Sequence, residues 1–186
     1  MAQTTTSKNK KTNNSYLADK VALRLGHLPR KKEIYVLDCY AGKGLIWRAV
    51  QKLSGKDITT LPIDTSDDDT GFRLPGDNRG YLETLDLSQF DVIDLDAYRI
   101  PYDQMRIVFE REYHGFVFVT FIQSPFGRMP NRLLLDIGFS EEMITASPTL
   151  VGSMGWQYFK EWLRAMGVRK IWHRTHSRKH YLFFQI

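Results

Sequence analysis

The sequence has a single cysteine, Cys39, in 186 residues. One thiol excludes an internal disulfide and a cysteine-built zinc cluster, and makes a reducing cytoplasm the expected compartment. Long apolar runs are also missing. Nothing approaches the roughly 20 residues of a membrane span, and the polar N-terminus has no apolar stretch of the kind a signal peptide needs. There is no internal repeat. The two ends are short of acid: residues 1–32 hold eight Lys/Arg and one acid, and residues 164–186 hold six Lys/Arg and none. The middle is short of base, with four Arg against thirteen acids over residues 57–110. Such a division points to a polyanion along the ends and a small cationic or hydroxyl-rich ligand in the middle. An unevenly charged, solvated surface fits the same counts.

What is present suffices for a core. Hydrophobic residues make up 42% of the chain and aromatics 13%, enough for one globular domain over residues 15–186 behind a flexible basic tail, 1–14. Ser15 is placed to cap a helix carrying Tyr16, Leu17, Val21, Leu25 and Leu28. IYVLDCY (34–40), ITTLPI (58–63), FDVIDLD (90–96) and GFVFVTFI (115–122) read as strands. FRLPGDN (72–78) holds a short edge strand, and Asn78 is placed to cap the helix behind it. Helices are expected over 45–53, from Pro101 to about Tyr113, and from about Thr149 to Met166 with Gly167 as C-cap. Residues 131–148 fit no single period. VRKIWHR (168–174) and HYLFFQI (180–186) form a closing hairpin. Strands alternating with helices predict a mostly parallel sheet covered on both faces, with one antiparallel strand contributed by the hairpin. In such sheets ligands sit at the carboxyl ends of the strands. Asp38, Asp64 and Asp96 all stand there.

DCYAGKG (38–44) is a strand, a glycine turn and a helix start. Gly42 and Gly44 let the backbone approach a ligand without a Cβ between. A dinucleotide fingerprint would need a third glycine where Trp47 stands, and a phosphate-binding P-loop would need GK[ST], which is missing. What remains is a site for a nucleoside with a charged tail, where Asp38 suits a cationic amino group. A plain tight turn before a helix is the simpler alternative.

This stretch resembles motif I, D-x-x-x-G-x-G, of the class I S-adenosylmethionine-dependent methyltransferases, and the resemblance extends over about residues 33–186. It implies a Rossmann-like methyltransferase fold of about seven strands, with S-adenosyl-L-methionine bound by Asp38, Tyr40, Gly42, Gly44, Asp64, Asp77 and Asn78. On this match Asp64 meets the ribose hydroxyls, and Asp77 and Asn78 lie beside the adenine. DLDAYRIP (94–101) is similar to the D-x-D-P-F/Y-G-x-P motif of tRNA guanine-N2 dimethyltransferases, with Ala97 in place of the proline and Arg99 in place of the glycine. That likeness implies a catalytic group of Asp96, Tyr98 and Asp94. Asp96 would orient an exocyclic amine and take its proton, Tyr98 would stack on the base, and Asp94 would brace the strand end or Asp96. A strand end meeting water is the competing account of the same residues.

Pyrimidine C5 methylation needs a cysteine nucleophile. Cys39 lies within motif I, so N- or O-methylation fits better. His173, His176 and His180 straddle a turn with no cysteine or acid nearby, a poor metal set. With Arg174, Arg178 and Lys179 the same turn reads better as a basic rim for nucleic acid, joined by Arg128 and Arg132 of the loop after residue 122. The expected activity is methyl transfer to a nucleic-acid base, RNA ahead of DNA. A small-molecule or protein methyltransferase, and a nucleic-acid-binding subunit without turnover, are the alternatives.

Overall fold

The structure is a computed structural model that describes residues 16–65, 72–98, 100–122, 129–146, 150–177 and 179–186, with backbone alone at 150–153. The tail 1–14, Ser15, Arg99, Arg128, Arg178 and most of the TSDDDTG segment lie outside the described residues.

Seven strands form one sheet in the order β3-β2-β1-β4-β5-β7-β6. They are β1 (Glu33–Asp38), β2 (Asp57–Asp64), β3 (Leu74–Pro75), β4 (Val92–Leu95), β5 (Phe116–Ile122), β6 (Trp172–His176) and β7 (Lys179–Gln185). Every pairing is parallel except those of β7, which runs against both β5 and β6. This is the α/β sheet, with one antiparallel strand near its end, that the alternation of elements predicts. The apolar run of β5 is explained by its place between β4 and β7, with both faces covered.

Helices α1 (Leu17–Gly26) and α2 (Leu45–Ser54) cover one face. Val21, Leu23, Trp47 and Val50 from these helices pack on Ile34, Val36, Val92, Phe118, Tyr181 and Phe183. The other face is covered by α3 (Asn78–Thr84), α4 (Tyr102–Glu110), α5 (Asn131–Asp136) and α7 (Leu150–Ala165), with α6 (Glu141–Ala146) between the last two. There Leu82, Met105, Leu133, Phe159 and Trp162 meet Leu37, Ile93, Leu95, Val119 and Phe184. The period of two along each strand decides which residue faces which layer. Among the described residues no helix is long and apolar enough to cross a membrane.

Three local expectations shift. Asp77, not Asn78, caps α3: its side chain accepts from Arg79 N at 3.0 Å, and Asn78 is the first helical residue, buried. Within the ambiguous 131–148 segment the described residues form two short helices, α5 and α6, each of six residues. Strand β6 begins at Trp172, four residues later than expected. Gly167, at φ 89°, ends α7 in a turn whose Val168 N–H returns to Leu163 O, so the chain is still closing the helix at Val168.

Candidate functional site

The sheet order reverses between β1 and β4, which opens a crevice at their carboxyl ends. Asp38 and Asp94 lie side by side there in register. The turn after β1 is shaped by two left-handed glycines, Gly42 at φ 50° and Gly44 at φ 64°, conformations that L side chains rarely adopt. Gly42 N donates to Asp64 Oδ2 at 2.7 Å, and Ala41 N donates to Ile63 O at 3.1 Å. The glycine loop is thus clamped to the end of β2. Among the described residues a Cβ on Gly42 would meet nothing within 4 Å, so on that side the loop borders space that no described residue fills. That space beside a backbone clamped on its other side is what close approach of a ligand requires.

Asp38 is buried, and its carboxyl is pushed well above the usual carboxylate range, first by burial and then by the charge of Asp94. Asp94 itself is saturated. Arg24 of α1 grips both of its oxygens, at 2.7 and 2.6 Å, and Trp47 Nε1 adds a bond at 2.7 Å. These bonds tie α1 and α2 to the end of β4. Asp96, two residues on, faces the same side. Lys20 Nζ reaches its Oδ2 at 2.7 Å, and the Thr120 hydroxyl donates to its Oδ1. Tyr98 is exposed at the rim.

Asn78 donates to Cys39 O at 2.7 Å and accepts from Gln104 at 2.9 Å. It anchors α3 and α4 beneath the crevice, while Asp77 remains at the surface with Arg79. Tyr40 is partly buried, its hydroxyl pushed up to about 12 chiefly by burial. Cys39 is buried in the apolar layer and its thiol is driven well up, first by burial and then by Asp38 and Asp94. Such a thiol is a poor nucleophile.

The hairpin residues divide between the faces. Arg174 donates to Asp19 of α1 at 2.9 Å. His176 stacks on Tyr16 with ring centres 4.2 Å apart, and its Nε2 lies 3.2 Å from Asp19, off the line of a hydrogen bond. Lys179 lies 5.8 Å from the centre of the Tyr16 ring. On the other side His173 and His180 both reach Thr175 Oγ1, and His180 stacks on Trp156 at 4.2 Å. Arg132 is exposed at the start of α5. Among the described residues no group of three or more His, Cys, Asp or Glu is arranged to hold a metal ion.

Sequence reasoning missed Lys20, Arg24, Trp47 and Thr120. Lys20 and Arg24 sit one helical turn apart on a predicted helix, which was a usable signal. Nothing local linked them to residues seventy positions away.

No family model and no curated protein matches the sequence. Solved structures do match. A protein described as an rRNA-methylase from Clostridium thermocellum superposes with a TM-score of 0.53 at 9% identity, over 91% of this chain and 94% of that one. A SAM-dependent methyltransferase from Archaeoglobus fulgidus gives 0.51 at 11%, over 91% and 94%. A precorrin-6y C5,15-methyltransferase from Geobacter metallireducens gives 0.52 at 10%, over 98% and 93%. At these identities the likeness is one of fold, and the chain has the Rossmann-like fold of the class I methyltransferases.

Proposed function

We propose that the chain is an S-adenosyl-L-methionine-dependent methyltransferase acting on an exocyclic amine of a nucleic-acid base, RNA ahead of DNA. The observation that carries this reading is the clamped glycine loop, open beside Gly42, between the acids Asp38 and Asp64 and next to Asp96. The residues present fit the cofactor. Asp38 suits its amino group, the loop backbone its nucleoside, Asp64 its ribose hydroxyls, and Tyr40, Asp77 and Asn78 flank the place for the adenine.

The cofactor would supply an electrophilic methyl group. The chain's own task is then to hold the acceptor in line and dry. An amine conjugated to a base is a weak nucleophile. Asp96 accepts one of its N–H bonds, turns its lone pair toward the methyl group and relieves the charge that builds on nitrogen. Asp94, gripped by Arg24, holds the end of β4 in place. Tyr98, exposed beyond Asp96, stacks on the base. Arg132, Arg174 and Lys179 line the approach for backbone phosphates, and Arg128, Arg178 and the basic residues of 1–14 add positive charge to the chain.

Incubation with labelled cofactor and separate pools of RNA, DNA, protein and small molecules tests this. Label in RNA is the expected result. Label only in a small molecule or in protein would overturn the substrate, and no label in any pool would overturn the enzyme. Asp96→Asn should lower turnover by about two orders of magnitude and leave cofactor affinity unchanged.

A further inference from the structure

Helix α1 lays two cations against two carboxylates of the β4 segment. Lys20 and Arg24 are four residues apart, about 6 Å along a helix. Asp94 and Asp96 are two residues apart, about 6.6 Å along an extended chain. The spacings nearly match, so a helix running against the strand can satisfy both acids in one register. Arg24 meets Asp94 and Lys20 meets Asp96. The two rungs differ. The Arg24–Asp94 rung is closed: both side chains are 2% exposed or less, and both carboxylate oxygens are engaged by Arg24. The Lys20–Asp96 rung stands at the edge, with side chains 15% and 9% exposed.

We infer that Lys20 is a positioning residue for methyl transfer, acting through Asp96. The inference rests on the reading of Asp96 as the group that orients the acceptor. Two elements hold that carboxylate, and a third contacts the lysine that holds it. Lys20 of α1 holds Oδ2, Thr120 of β5 holds Oδ1, and Tyr181 of β7 places its ring 5.4 Å from the Lys20 ammonium. A carboxylate has about four lone-pair directions. One bond to each oxygen fixes the plane of the group and leaves directions for a substrate N–H. Without Lys20 the carboxylate would keep, among the described residues, only the bond from Thr120 and could turn about its last torsion, and a turned acceptor points the amine away from the methyl group. Lys20 is itself held in place. Its neighbour Asp19 is bonded to Arg174 of β6, and Arg24, one turn further on, is locked to Asp94 and donates to Lys20 O at 3.0 Å.

The test is a kinetic cycle on the full chain with wild type, Lys20→Met, Lys20→Arg, Asp96→Asn and the Lys20→Met/Asp96→Asn double variant. Cofactor affinity is followed by calorimetry, and folding by thermal melting. Lys20→Met keeps the length of the side chain and should melt close to wild type. Its kcat should fall by about tenfold to a hundredfold, the scale of a misplaced catalytic group, with cofactor Kd unchanged. Lys20→Arg should recover most of the loss, because it restores the cation. In the Asp96→Asn background the same change should alter kcat by less than about twofold, because two residues acting through one group are not additive. Additive losses would overturn the inference, as would a Lys20→Met kcat equal to wild type. A rise in kcat would also overturn it and mark the ion pair as a brake. Wild type without methyl transfer to any pool would overturn the functional reading and this inference together. An active wild type with an indifferent Lys20 would overturn only the second.

Discussion

Arg24 Nε and Nη2 meet the two oxygens of Asp94 at 2.7 and 2.6 Å, seventy residues away in sequence and sealed from solvent. The pair joins the first helix to the central strand at the edge where the candidate site opens. With both ions buried, its partners cannot be removed singly without leaving a charge in the core.

Arg24→Met should therefore destabilise the protein by about 3–5 kcal/mol, the usual cost of stranding one partner of a buried pair. Arg24→Met/Asp94→Leu should recover a large part of that loss, because no charge is then left behind. Urea unfolding of both variants measures this. Equal stability of the single variant and wild type would show the pair to be worth nothing.

Gly42→Val should abolish binding of S-adenosylmethionine while the fold survives. Among the described residues the new side chain meets no atom near its Cβ, and it projects into the space proposed for the ligand, although a left-handed valine strains the turn by about 1–2 kcal/mol. Calorimetry on a folded variant gives the answer, and unchanged affinity would contradict the cofactor assignment.

Asp38 should make cofactor binding depend on pH. In the free protein its carboxyl titrates well above the unfolded value, through burial and then the charge of Asp94. Between the two values the folded state keeps a proton that the unfolded chain, titrating near about 3.9, has lost. Stability therefore falls as pH rises through that window and is level above it. Asp38→Asn should raise the stability of the free protein at neutral pH. A cationic amino group beside Asp38 favours the ionised form, so at a pH where Asp38 still carries its proton, binding should release it. Calorimetry in two buffers of different ionisation enthalpy detects that release, and no difference between the buffers would count against the assignment.

His180 should contribute to acid sensitivity. Burial, then His173 and Lys160, lower its pKa to about 4. The unfolded imidazole takes up a proton near about 6.5. Stability should fall as pH drops from there toward 4, because the unfolded chain holds the extra proton. His180→Phe should flatten that part of the stability–pH curve, measured by urea unfolding at several pH values.

Nucleic-acid binding should weaken steeply with salt, since each neutralised phosphate releases counterion. Arg174→Ser with Arg178→Ser and Lys179→Ser should flatten the slope and leave cofactor binding intact. Arg174 is already bonded to Asp19, so part of its charge is spent within the protein and its share of the slope should be the smaller. Filter binding over a salt series measures both. A slope unchanged in the triple variant would move the contact elsewhere.

The sequence by itself determined the sheet and pointed to a candidate site at one edge of it. Alternating apolar strands and helices can bury their faces only as a covered parallel sheet. Two glycines in a turn after a strand, followed by acids at the later strand ends, mark one edge of it. These are local signals, because period, turn chemistry and capping act over a few residues. Where capping depended on a neighbour, at Asp77 and Asn78, the local reading slipped by one position. Tertiary structure alone decided which partners each acid has. The likeness of DLDAYRIP implies different tasks for Asp94 and Asp96, but nothing in the sequence names the partners of either. The structure distinguishes them, because Arg24 and Trp47 close around Asp94 while Lys20 and Thr120 leave Asp96 at the edge. Partners that lie 24 to 76 residues away are brought together by the packing of α1, α2 and β5 around β4. No periodicity in the chain records that packing, since a helix carrying Lys20 and Arg24 has the same pattern whichever strand it covers.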